Sequence, residues 1–187
     1  MIVGYAFTGS FCTLSRSLKA LFDLCSQGHT VVPIMSETVY STDTRFFRAQ
    51  ELQRAVFELC KNEIIHTVKD AEPLGPTRPL DALIIAPCTG NTLAKMANGI
   101  TDTAVTMAAK AHLRTDKSLL IALASNDAMS ANLGNIGRLL MRKSVYMLPM
   151  HQDDPIGKPH SLVANFEMLP EAFMKMLEGK QMTPLFL

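Results

Sequence analysis

Apolar residues along this chain alternate between two rhythms: short unbroken runs, and stretches in which every third or fourth position is apolar. The first run, Ile2 to Phe7, stops at Thr8-Gly9-Ser10, after which Leu14, Leu18, Leu21, Phe22 and Cys25 recur at helical spacing. That order predicts a strand, a glycine turn and a helix. Gly28 is expected to stop the helix, and Thr30 to Met35 to form the next strand, with Pro33 pointing to an edge or end position. A polar loop is expected from Ser36 to Thr44, a second amphipathic helix on Phe46, Leu52, Val56 and Leu59, and a brief strand at Ile64-Ile65-His66. Ala71 to Pro79 reads as a loop, because Pro73, Gly75, Pro76 and Pro79 oppose both regular ladders.

Asp81 to Ala86 is the clearest strand, since an unbroken apolar run is what a parallel strand covered on both faces requires. It is expected beside the Ile2 strand at the centre of the sheet. Helices follow at Asn91 to Asn98 and Ala104 to Leu113, then a strand at Leu119 to Ala124, a helix at Leu133 to Lys143, a strand at Val145 to Leu148 and a closing helix at Glu171 to Glu178. The alternation predicts a single domain over residues 1–187, an α/β fold built as a three-layer α/β/α sandwich on a mainly parallel six-stranded sheet.

Composition narrows the partners. With 18 basic and 17 acidic residues, a formal net charge of +1 leaves no electrostatic footprint for nucleic acid or an anionic membrane. No apolar run approaches the roughly 20 residues that span a bilayer, and the start of the chain lacks a signal-peptide pattern, so a cytoplasmic protein is expected. Cys12, Cys25, Cys60 and Cys88 form no CxxC pair, which argues against a metal site or a disulfide framework and leaves three of the four expected as buried packing residues. Twelve methionines without a tryptophan suit an adaptable core or an oligomer interface.

Ligands of such sheets bind beyond the carboxyl ends of the strands, near the point where strand order reverses. Three loops meet that description. In Thr8-Gly9-Ser10-Phe11 the glycine permits close backbone approach and Ser10 offers a hydroxyl to a phosphate, although an ordinary glycine turn with a capping serine explains the same residues. Gly4 and Gly9 have P-loop spacing, but Ser10-Phe11 replaces the Lys-Ser/Thr that a triphosphate needs. The second loop, Ser36 to Thr42 with Thr38, is rich in hydroxyls, as solvated turns often are. The third, Pro87-Cys88-Thr89-Gly90-Asn91-Thr92, runs from the central strand into small and polar residues that open a helix, presenting free amides and hydroxyls.

Extended to Leu93-Ala94-Lys95-Met96-Ala97-Asn98-Gly99, this third loop resembles the flavoproteins related to phosphopantothenoylcysteine decarboxylase, which carry a Ser-Ala-Asn-Thr-type loop followed by Leu/Ile-Ala-Lys and Ala-x-Gly. Ser41-Thr42-Asp43-Thr44-Arg45-Phe46, Ala71 to Pro76, Thr101-Asp102-Thr103, Ser125-Asn126-Asp127-Ala128-Met129 and Gln152-Asp153-Asp154-Pro155 narrow the resemblance to one branch and extend it over essentially the whole chain. That branch comprises flavin-binding subunits that act beside an NAD(P)-binding partner, the synthase's A subunit, to oxidise dihydrodipicolinate to dipicolinate in sporulating bacteria. The resemblance implies a Rossmann-like or flavodoxin-like fold, homo-oligomers, a mother-cell location, a small dicarboxylate substrate, and FMN held by Gly9, Ser10, Phe11, Ser36, Thr38, Pro87, Cys88, Thr89, Gly90, Asn91 and Thr92.

Residue roles carry over unevenly. Asn126 matches the asparagine of the decarboxylases' Pro-x-Met-Asn motif, but Leu123-Ala124-Ser125 precedes it here; it either faces ligand or holds its own turn through an Asx hydrogen bond. Lys158 and His160 are the cations suited to a dicarboxylate, in a loop whose charges are otherwise ordinary surface. His66 stands in the region of a catalytic histidine of the decarboxylases and equally suits the edge of the core; Cys88 can touch a flavin or simply pack. Three functions remain open at this point: one half of a two-component oxidoreductase, a non-catalytic FMN-binding or structural partner of the NAD(P)-binding component, and a divergent flavin-dependent decarboxylase.

Overall fold

The structure, a computed structural model, describes residues 1–187. The chain runs through β1 (Ile2–Phe7), α1 (Leu14–Ser26), β2 (Thr30–Met35), α2 (Glu37–Ser41), α3 (Ala49–Cys60), α4 (Val68–Ala71), β3 (Ala82–Cys88), α5 (Gly90–Ala97) and α6 (Ala104–Leu113). It continues through β4 (Leu119–Ser125), α7 (Leu133–Leu140), β5 (Val145–Met147), β6 (Met150–His151), β7 (Leu162–Ala164) and α8 (Leu169–Leu177).

One sheet collects all the strands in the order β2-β1-β3-β4-β7-β6, with β5 also paired to β4. β2, β1, β3, β4 and β5 pair in parallel, while β7 lies antiparallel to both β4 and β6. The sheet therefore has seven strands and is mixed, where six mainly parallel strands were expected; the two extra strands are two and three residues long, too short for a run of apolar residues to betray them. β1 and β3 are neighbours inside the sheet, as their unbroken apolar runs predict, and β2 ends the path on the side its proline suggested.

Alternation along these strands builds two cores. Val3, Tyr5 and Phe7 of β1 and Ala82, Ile84 and Ala86 of β3 face one way, against α1, α3 and α8. Leu83 and Ile85 of β3 and Leu119, Ile121 and Leu123 of β4 face the other, against α5, α6 and α7. Both faces of the sheet are thus covered by helices, which is why its central strands are apolar on both sides. β3 slips register between Ile85 and Cys88, and the slip turns Cys88 into the second core, against the parity of Ala82, Ile84 and Ala86.

The other departures are local. Ser36–Thr44, expected as a loop, contains α2, because Ser36 accepts a hydrogen bond from the Val39 amide and starts a helical turn. Ile64-Ile65-His66 makes only one bridge, Ile34 to Ile65, and no strand. Val68–Ala71 forms a single capped turn before the proline loop. Gly4 lies within β1, so its spacing to Gly9 is that of a strand and its turn, not of a phosphate loop.

Candidate functional site

Thr8 ties together the ends of the two central strands. Its amide and its hydroxyl both donate to the Pro87 carbonyl, at 3.1 and 2.8 Å, and the Thr89 amide donates to its Oγ1 at 2.8 Å. Thr8 is buried and was not singled out from the sequence. A hydroxyl directly after a strand, opposite a proline that cannot donate, is the signal that could have found it.

Beyond this knot the backbone leaves donors unused. The amides of Gly9, Phe11 and Cys12, and those of Glu37 and Thr38 at the start of α2, make no hydrogen bond within the chain. The two sets adjoin, since a Cβ placed on Gly9 would lie 3.8 Å from Thr38 Cγ2. The Ser36 amide donates to the Phe7 carbonyl at 3.0 Å, holding α2 against the first loop. Several free N–H groups with nearby hydroxyls form a concave donor set suited to a phosphate.

The third loop is organised differently. Thr89 caps α5 by accepting from the Thr92 amide at 3.2 Å, and its hydroxyl donates to Thr92 Oγ1 at 3.0 Å. Gly90 is required there: a Cβ would collide with Ser125 Oγ and come within 2.7 Å of Asn132 Nδ2 and 2.8 Å of Asp127 Oδ1. The Asp127 carboxylate accepts from Ser125 Oγ and from Asn132 Nδ2, the latter at 3.0 Å. The Ser125 hydrogen bond, then that from Asn132, hold this carboxyl below its ordinary range, against an opposing effect of burial. Asp127 and Asn132 therefore organise the turn after β4, a role the sequence had offered to Asn126. Asn126 is exposed and its side chain makes no hydrogen bond within the chain, so the Asx alternative does not hold for it.

The loop between β6 and β7 returns to the same end of the sheet. Its His160 carbonyl accepts from the Met129 amide at 2.9 Å, and Lys158 lies within electrostatic range of Cys12. Lys158 pairs with Asp153 at 2.9 Å, and Asp153 also accepts from Ser161 at 2.6 Å. Ser161 first, then Lys158, lower the Asp153 pKa, while Asp153 raises that of Lys158.

Of the other candidates, Pro87 spends its carbonyl on Thr8, and Asn91 is exposed on the first turn of α5. Cys88 is fully buried, burial pushes its thiol pKa far upward, and its Sγ turns to the Thr89 carbonyl at 3.6 Å. Cys60 is buried too, but Cys25 is only partly covered and Cys12 is exposed, so two cysteines rather than three are core residues. His66 stacks on Tyr40 of α2, with ring centroids 3.7 Å apart and planes 10° from parallel. The principal clefts of the chain lie elsewhere, and none is lined by Gly9, Ser10, Ser36, Thr89 or Thr92. The loops form an open crest.

A doubly covered, mostly parallel sheet with a donor-rich first loop at its carboxyl end is the build of a nucleotide- or flavin-binding α/β protein. Residues 2–163 match the model of the Flavoprotein family, and the chain belongs to that family. Within it, the chain is a close homologue of the B subunit of dipicolinate synthase: it is 39% identical over 183 residues to that protein from Bacillus subtilis (strain 168), covering 98% of this chain and 92% of the relative. The crystal structure of the dipicolinate synthase B subunit from Bacillus halodurans superposes with a TM-score of 0.91 at 40% identity, over 100% of this chain and 95% of the other. The FMN-dependent cysteine decarboxylase SpaF shares the fold at 16% identity, with a TM-score of 0.67 over 95% of each chain.

Proposed function

We propose that this chain is the FMN-binding B subunit of a dipicolinate synthase, which oxidises dihydrodipicolinate to dipicolinate together with an NAD(P)-binding A subunit in the mother cell of a sporulating bacterium. The observation that carries the reading is the full-length relationship to two dipicolinate synthase B subunits at 39% and 40% identity. Aromatisation removes a hydride and a proton from the dihydropyridine ring, and the nicotinamide held by the NAD(P)-binding partner is the hydride acceptor.

The residues present suit FMN. The free amides of Gly9, Phe11 and Cys12, with the hydroxyls of Ser10, Ser36 and Thr38, would hold its phosphate; Thr89, Asn91 and Thr92 would border the ring. When bound, FMN supplies a ring able to accept a hydride. The chain's own task is to orient ligands: Lys158 and His160 are placed to receive carboxylates, and exposed Asn126 offers an amide without an internal partner.

In a second reading the chain is a non-catalytic partner that retains FMN or shapes the site of the NAD(P)-binding component. One observation favours it: Asp127, Asp153 and Lys158 are all shifted toward their charged forms, so none is poised to exchange a proton near neutrality. Titrating the protein with FMN, then assaying the two components singly and together with NAD(P), separates the readings. Flavin binding that weakens in the Ser10→Ala, Thr92→Ala double variant, and turnover that needs both components and flavin, supports a catalytic part in the oxidation. Full turnover without flavin supports the second reading, and no effect of this chain on dipicolinate formation sinks both.

A further inference from the structure

A second place suited to a small anion lies at the other end of the sheet. The carboxyl ends of α6 and α7 lead into the amino ends of β4 and β5, and between them and the end of α5 is a cleft of about 250 Å³. Met96, Ile100 and Leu113 give it an apolar lining, and Lys110, Arg114 and Arg142 bring three cations to it. No acidic residue lines it.

Cations near helix carboxyl ends are favoured by the helix dipole alone, and in that role their side chains cap the last carbonyls. Here none of the three makes a side-chain hydrogen bond, and the protein's ion pairs all involve other residues. Asp102, the acid closest to the cleft in sequence, is held by Lys95 at 2.9 Å. On a chain of net charge +1, three unpaired cations around one apolar cleft are a local concentration and not a background.

The cleft walls are also fixed in place. Gly99, at φ +74°, closes α5 with its amide on the Met96 carbonyl at 3.3 Å, and Ile100 donates to the Lys95 carbonyl at 2.9 Å. This left-handed closure sets Ile100 at the cleft instead of extending the helix. Arg138 of α7 donates to Asn98 Oδ1 at 2.9 Å, which holds α7, and the Arg142 that follows it, against α5.

We propose that this cleft binds a small planar organic dianion, a single ring bearing two carboxylates, through Lys110, Arg114 and Arg142. The volume argues for one ring, since sites for larger organic ligands run from roughly 300 Å³ upward. Planar carboxylates match the arginine fork, and the apolar lining covers the ring between them. The site is independent of the flavin reading, and only the choice of dipicolinate as a probe rests on it.

Calorimetric titration of the full chain with dipicolinate tests the assignment, using wild type, Arg114→Ala, Arg142→Ala and Lys158→Ala, with inorganic phosphate and FMN as parallel probes. Removing one charge-assisted contact is expected to weaken dipicolinate binding about tenfold or more in each arginine variant. FMN affinity and the urea midpoint are expected to stay at wild-type values in both arginine variants, and dipicolinate affinity to hold in Lys158→Ala. No binding of dipicolinate at millimolar concentration overturns the proposal. So do binding lost only in Lys158→Ala, which would place the ligand at the loop crest and leave the flavin reading intact, equal affinity for inorganic phosphate, and FMN affinity that falls with the arginines.

Discussion

Thr8 and Thr89 meet across the two central strands, the amide of one on the hydroxyl oxygen of the other at 2.8 Å, while that hydroxyl donates to Pro87. A single side chain thus sets the spacing between the first and third ligand loops. Thr8→Val keeps the shape and removes the hydroxyl, leaving the Thr89 amide and the Pro87 carbonyl short of a partner. It is expected to cost about 1–3 kcal/mol by urea unfolding and to weaken FMN binding in a flavin-fluorescence titration. Unchanged affinity at reduced stability would make the knot purely structural.

Thiol chemistry should separate the four cysteines. Cys12 is exposed on the first loop, whereas burial pushes the Cys60 thiol up to about 12 and that of Cys88 higher still. A disulfide-exchange reagent at neutral pH is expected to label Cys12 first and partly covered Cys25 later, with Cys60 and Cys88 reacting only on unfolding. Added FMN is expected to protect Cys12, whose amide belongs to the phosphate-binding set; labelling unaffected by flavin would move the phosphate away from this loop.

Acid should loosen the fold before any carboxylate is protonated. His112 is fully buried on α6, with Nε2 2.9 Å from the Ser118 carbonyl and Nδ1 without a partner. Burial lowers its pKa from the ordinary 6.5, so the unfolded chain takes up the proton first. Its neutral form favours the fold above that pH, and the stability is lost as pH falls below it. Asp127 and Asp153, with lowered pKa values, act only below their ordinary value of 3.8. The urea midpoint of the wild type is expected to drop between pH of about 7 and about 5, with a shallower slope in His112→Gln; an equal slope would refute the assignment.

The chain is expected to form homo-oligomers in which Asn98 to Thr103 completes a neighbour's site, as its family resemblance implies. An open crest at the ligand loops accords with that expectation. Light scattering at micromolar concentration checks it, and a monomer is the refuting result.

Decarboxylation is not expected. No cysteine follows Cys88, and Leu123-Ala124-Ser125-Asn126 stands where the cysteine decarboxylases have Pro-x-Met-Asn. Release of carbon dioxide from 4′-phosphopantothenoylcysteine by the isolated chain at an enzymatic rate would overturn the dipicolinate assignment.

The central architecture was legible because it rests on runs of residues. Ile2–Phe7 and Ala82–Cys88 announce buried parallel strands through unbroken apolarity, and their glycine and proline turns mark the ligand end. What escaped depends on single contacts. β6 and β7 are set by two register pairs with each other, and β7 by two more with β4. α2 hangs on one hydroxyl of Ser36, and a register slip in β3 decides which way Cys88 faces. At the site, sequence pattern found the three loops but not Thr8 or Asp127, since the partners of both are far along the chain or across a turn. Asn126 drew attention through its family motif, while the hydrogen bonds belong to its neighbour.

Gly90 lets the Asp127 carboxylate press against the first turn of α5, so the positive end of that helix is already met by an anion of the chain itself. The first loop and α2 have no such internal counter-charge, and their amides stay free. The two halves of the crest therefore differ in sign preference. An elongated ligand with a phosphate at one end and an uncharged ring at the other meets a compass: its anionic tail is drawn toward β1 and β2 and repelled from β3 and β4. One carboxylate, admitted by one missing methyl group, thus gives the cofactor a heading before any specific contact with its ring is made.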